Sequence, residues 1–137
     1  MARRNWLVVL TVIAAASLIH AAPASGEYRT LRSARIFSLG GVGYAGKRTA
    51  EENAYDRLMR AGDAEQQLRH LLIDARTPAG KLYALYGLRQ LRVRDYWDLA
   101  MPYRRNHELV DTAFGCSVGR ESVSQAIVVA DRAYAIK

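Results

Sequence analysis

Thr77-Pro78-Ala79-Gly80-Lys81-Leu82-Tyr83-Ala84-Leu85-Tyr86-Gly87-Leu88-Arg89-Gln90-Leu91 is the stretch that sets the fold expected of this chain. Threonine followed by proline marks a helix start. The hydroxyl can accept from a free amide of the first turn, and proline at the first helical position lacks the amide that would otherwise need a partner. From there the run carries Leu82, Tyr83, Ala84, Leu85, Tyr86, Leu88 and Leu91, apolar nearly all round. A helix without a polar face packs between neighbours rather than over a surface. Gly80 and Gly87 fall on nearly the same side, and each costs about 1 kcal/mol of helix propensity against alanine. Close approach of another backbone is the expected reason for them.

The neighbours are sought on both sides. Upstream, Asp63 with Gln66 has capping-box spacing, and Leu68, Leu71, Leu72 and Ala75 form an apolar stripe opposite Glu65, Arg69, Asp74 and Arg76. Before it, Thr49 and Glu52 repeat the box, with Ala50, Ala54, Leu58 and Ala61 along one face, and Gly62 ends that helix. Downstream, Asp95 can cap a short helix with Tyr96, Trp97, Leu99 and Ala100, ended or kinked at Pro102. His107 to Phe114 reads as either strand or helix, and Gly115 to Gly119 as a turn. Ser122 and Gln125 open a last helix with Val123, Ala126, Ile127, Ala130 and Tyr134 inward. The expected fold is all-α: a compact domain of four to five helices over residues 49–137, with little or no strand. Residues 25–48 form an irregular, glycine-rich lead-in.

Residues 71–91 resemble a HEAT-type helical repeat. Leu71, Leu72 and Asp74 match the end of its first helix, Pro78 and Lys81 the opening of its second, and Ala84, Leu85, Leu88 and Leu91 its apolar face. The turn is one residue longer than the family pattern, and Gly80 replaces a branched apolar residue. The likeness covers residues 63–104 and implies a HEAT-like hairpin that binds protein rather than performing chemistry.

The N-terminal segment supplies an address. Arg3 and Arg4 precede an apolar run from Trp6 to Ile19, followed by Ala21-Ala22-Pro23-Ala24-Ser25-Gly26. A basic start, a short apolar core and a small-residue site make a secretory signal peptide over residues 1–24, cleaved before Ser25 or after Gly26. The alternative is an uncleaved membrane anchor through residues 6–24, close to the roughly 20 residues needed to span a bilayer. Either way the expected location is exported, periplasmic or secreted.

The formal net charge is +7, and Arg3 and Arg4 contribute two of these charges. Arginine supplies 15 of the 18 basic residues that follow position 24. An excess of this kind is either a solvated surface or a site for an anionic partner such as lipid headgroups or an acidic protein. Export argues against nucleic acid, and no motif for it is present. Cys116 is the only cysteine, so no intrachain disulfide can form, and a buried thiol is expected.

Three motifs look chemical. Gly41-Val42-Gly43-Tyr44-Ala45-Gly46 fits the dinucleotide-binding spacing, yet a helix and not a second strand follows it. Gly41 to Lys47 nearly fits a phosphate-binding loop, but Arg48 stands where a magnesium-binding hydroxyl is required. If the loop binds anything, its backbone amides would hold an anion or a peptide terminus. Gly115-Cys116-Ser117-Val118-Gly119 fits a nucleophile elbow, although His20, His70 and His107 all precede Ser117, and the hydrolase order needs a later histidine. A small hydrolase or thiol enzyme using Ser117 or Cys116 is the enzymatic alternative. No metal-ligand spacing and no cofactor are implied.

The expected function is therefore non-enzymatic: binding a protein partner or an envelope surface. Arg89, Arg92, Tyr96 and Trp97 are the candidate contact residues, because basic and aromatic side chains adjoin there and such residues dominate binding energy.

Overall fold

The computed structural model describes residues 25–135. The signal peptide, its cleavage site and the anchor alternative lie outside the described residues, as does the side chain of Tyr134. In order, the elements are α1 (Gly26–Arg32), β1 (Ile36–Val42), α2 (Ala50–Met59), α3 (Ala64–Asp74), α4 (Pro78–Gln90) and α5 (Tyr96–Ala100). A 3-10 turn (Met101–Arg105), β2 (Leu109–Gly115), β3 (Ser117–Ser122) and α6 (Val123–Ala135) follow.

The all-α expectation is wrong. The described residues form six helices and a three-stranded mixed sheet in the order β1-β2-β3, with α2, α4 and α6 against the sheet, which makes an α/β fold. β1 pairs parallel to β2, from Ile36 opposite Asp111 to Leu39 opposite Phe114, with a shift in register before Val42 meets Gly115. β2 and β3 form an antiparallel hairpin. The expected irregular lead-in instead forms α1 and β1, and the expected turn at Gly115 to Gly119 is mostly strand. In β2, exposed Leu109 and Asp111 alternate with buried Val110 and Thr112, the two-residue period of a half-buried strand, before buried Ala113. β3 has no apolar face, and it is held by its ladder to β2.

α4 is the centre, as its all-round apolar character requires. It touches α1, α3, α5, α6, β1 and β2, and every residue from Leu82 to Leu88 is buried. Phe37 of β1 sets its ring edge against Tyr83, Tyr86 and Phe114. A Cβ on Gly80 would lie 2.5 Å from the Leu31 carbonyl oxygen, so the predicted backbone approach is real there. At Gly87 the close neighbours are instead side-chain atoms of Leu68 and Met59.

The caps explain where helices begin. Thr77 Oγ1 accepts from the Gly80 amide at 3.2 Å. Ser122 and Gln125 form a reciprocal box: Gln125 N donates to Ser122 Oγ, and Ser122 N donates to Gln125 Oε1. Neither Asp63 nor Asp95 caps its helix. Asp63 accepts from the Gln67 side chain at 2.7 Å, and Asp95 is engaged by Arg69. Among the described residues, no helix is long and apolar enough to cross a membrane.

Candidate functional site

The glycine loop was the first candidate. Gly40 and Gly41, at φ +82° and +80°, turn β1 into the loop. Their amides are occupied from within the protein. Gly40 donates to Glu52 Oε1 at 2.8 Å, and Gly41 donates to both carboxylate oxygens at 3.1 and 3.2 Å. Arg48 adds a guanidinium at 3.1 Å and also reaches Asp56. Thr49 caps α2 by accepting from Glu52 N, but the Glu52 carboxylate does not reach back to close the box. It is 1% exposed and belongs to the loop. The Ser38 amide donates to the Tyr83 hydroxyl at 3.1 Å. Residues two apart present their amides to the same edge of a strand, so Tyr83 and Glu52 together seal the outer edge of β1. An external anion at Gly40 and Gly41 would have to displace an internal carboxylate.

The Gly115–Gly119 motif forms the tip of the β2–β3 hairpin. Cys116 is exposed rather than buried, and Ser117 is exposed on β3. Among the described residues, no hydrogen bond joins either side chain to a histidine or a carboxylate, and no group of three or more His, Cys, Asp or Glu comes together. An open depression of 530 Å³ runs along the outer face of α3, lined by Asp63, Glu65, Arg69, His70 and Ile73 among others.

The cluster around Trp97 is the most organised exposed arrangement. The Arg89 guanidinium carbon lies 4.7 Å from the centre of the indole, and that of Arg104 lies 4.9 Å from it. Trp97 is 50% exposed, whereas Tyr96 is only 3% exposed. The Tyr96 hydroxyl donates to Asp131 Oδ1 at 3.0 Å, and Arg104 Nη2 stands 2.5 Å from Asp131 Oδ2. Arg89 Nε is 3.7 Å from Oδ1 of the same carboxylate. One acid on α6 thus orients a phenol and two guanidiniums around a half-exposed indole. Cation–aromatic contacts of this kind contribute about 0.5–1 kcal/mol at exposed sites. Burial, and then the Asp131 charge, hold the Tyr96 phenol well above its ordinary range. Behind the cluster, Arg69 grips Asp95 through two bonds of 2.7 and 2.8 Å. Those bonds keep the Asp95 carboxyl below the usual range.

Of the four residues singled out from the sequence, Arg89 and Trp97 come together at the surface, and Tyr96 supports them from beneath. Arg92 closes α4. Its φ is +55°, its amide donates to the Arg89 carbonyl, and the Val93 amide donates to that of Leu88. This is the left-handed helix ending usually given to glycine. Sequence reasoning missed Asp131 and misassigned Glu52. Both had a signal: Asp131 follows Ile127 by four residues, and Glu52 precedes Tyr55 by three, so each acid shares a helix face with buried residues.

In comparison with known proteins, no family model, no curated protein and no solved structure matches the chain.

Proposed function

We propose that this is an exported, non-enzymatic protein that binds a protein partner or an envelope surface through the Trp97 cluster. The observation that carries the reading is the half-exposed indole held between Arg89 and Arg104 by a buried-side support of Tyr96 and Asp131. Holding an aromatic side chain in place before contact reduces the entropy lost on binding. The α3–α4 hairpin, read as HEAT-like, is the scaffold: Arg89 lies on α4, and Arg69 of α3 fixes the start of α5 through Asp95.

The test is affinity capture from envelope fractions with the full chain and with Trp97→Ser. The wild type should retain a bound component that the variant releases, while both melt within a few degrees of one another. Equal retention by the two proteins removes Trp97 from the function. Mass measurement of the native N-terminus decides between the exported and anchored forms, since a chain beginning at Ser25 or Glu27 excludes the anchor. Labelling of the folded protein by serine- or cysteine-reactive probes with loss of a catalytic turnover would reinstate Ser117 or Cys116.

A further inference from the structure

Trp97 does not stand alone. Met101 lies one helical turn further on, its amide bonded to the Trp97 carbonyl, and it is 54% exposed beside the 50% of Trp97. Pro102 follows, also exposed. An indole and a thioether on one helix face, followed by a proline, make a short apolar ridge. Residues 89–105 around it carry five arginines against two aspartates. One of those aspartates, Asp95, is already neutralised by Arg69. Arg89 and Arg104, which flank the indole, share Asp131, and Asp98 is exposed within the ridge. With Arg92, Arg94 and Arg105 exposed in the segments leading into and out of it, the border nonetheless remains positive.

We propose that the Trp97–Met101 ridge docks on an anionic phospholipid bilayer, with the ridge in the headgroup layer and the arginines on lipid phosphates. The proposal rests on reading the Trp97 cluster as the contact surface. Tryptophan prefers the membrane interface, where its ring is apolar and its N–H remains wet. Arginine holds phosphate through a planar fork and can extend from an apolar body to reach it. Charge complementarity selects the anionic surface. A half-exposed apolar ridge within a basic rim also suits a surface that enters a headgroup layer, whereas a protein hot spot is usually an anchor set in a packed pocket. The open depression on α3 does not include Trp97 or Met101.

Trp6 and Trp97 are the two tryptophans, so the full chain carrying Trp6→Phe reports on Trp97 alone. Its emission is followed on titration with phosphatidylglycerol vesicles, phosphatidylcholine vesicles, and poly-glutamate, with brominated lipid as a depth-dependent quencher. The expected result is a blue shift and quenching with phosphatidylglycerol only. Arg94→Gln and Arg105→Gln, checked for folding by circular dichroism, should each weaken it about fivefold. An equal response to phosphatidylcholine overturns the proposal, because the apolar N-terminal run alone would produce it. A response to poly-glutamate without one to vesicles overturns the lipid assignment and leaves Trp97 as a contact surface for an acidic protein. Silence in all three titrations overturns both.

Discussion

Gly40 donates its amide to Glu52 Oε1 across 2.8 Å, and this bond ties the turning end of β1 to the first turn of α2. A buried carboxylate is tolerated only where its lone pairs are filled. Here the Gly40 and Gly41 amides and Arg48 fill them. Glu52→Gln keeps the size but places a donor group where donors already converge. The variant should lose about 1.5–3 kcal/mol in denaturant unfolding, the range for a hydrogen-bonded charged group. Ser117→Ala, at an exposed strand position, should stay within about 0.5 kcal/mol of wild type.

Gly80→Ala and Gly87→Ala should separate, although both glycines sit in one helix. The first places a methyl against the Leu31 carbonyl, which can move only with α1, and should cost about 1–3 kcal/mol by overpacking. The second meets the ends of Leu68 and Met59, which can rotate, and gains about 1 kcal/mol of helix propensity. Thermal melts should rank wild type and Gly87→Ala together, above Gly80→Ala.

Arg92→Gly should stabilise the protein by about 1 kcal/mol, because the left-handed region costs a residue with a Cβ about that much. A denaturation midpoint that falls instead would show that the Arg92 side chain contributes more than its backbone costs.

Raised pH should unfold the protein through its tyrosines. Burial is the first cause holding Tyr55, Tyr83, Tyr86 and Tyr96 above the ordinary phenol value. Their folded values exceed the unfolded one, so this contribution is fully present below about pH 10 and is lost as pH rises beyond it. Tyrosinate absorbance and loss of helical circular dichroism should appear together in that window. Early tyrosinate formation without unfolding would place these phenols in water.

Acid acts on the opposite sign. Asp74 and Asp95 are held below the usual range, first by hydrogen bonds from Arg32 and Arg69 respectively. Their contribution is present above about pH 4 and is lost as pH falls through their lower folded values. Both pairs are partly exposed, so the effect should also shrink with salt. Asp95→Asn should flatten the acid limb of a plot of melting temperature against pH.

The helical part of the fold was legible because local patterns and tertiary packing agree. Leu68, Leu71 and Leu72 mark the buried face of α3, and Thr77-Pro78 marks the start of α4. The sheet was not legible for a different reason in each strand. Ser117–Ser122 has no apolar face, so β3 exists only through its partner. Ile36–Val42 spends two of its seven residues on glycine, and its polar groups at Ser38 and Gly40 are satisfied by Tyr83, 45 residues beyond Ser38, and by Glu52, whose position also suits a capping box. At the candidate site, the adjacency of basic and aromatic residues was visible. The acid that orders them, Asp131, was marked only by its spacing from Ile127, because a lone carboxylate in a final helix gives no motif. Cys116 shows the limit of composition: apolar thiols usually pack inside, but a two-strand turn left this one outside.

β1 and β2 are neighbours in the sheet, yet residues 43–108 stand between them. A parallel pair cannot close through a tight turn, and the entropy of bringing such distant segments together is met before any ladder bond rewards it. The β2–β3 hairpin and the α3–α4 pair are local, and topology predicts that they assemble first. Joining β1 to β2 should then be the slow step, and until it occurs β1 carries two open edges. Glu52, only eleven or twelve residues beyond the glycines it binds, covers one of them early. The edge left waiting is the one that residues 109–115 must reach, which makes the interval before their arrival the time at which the unfinished chain is most prone to pair with another.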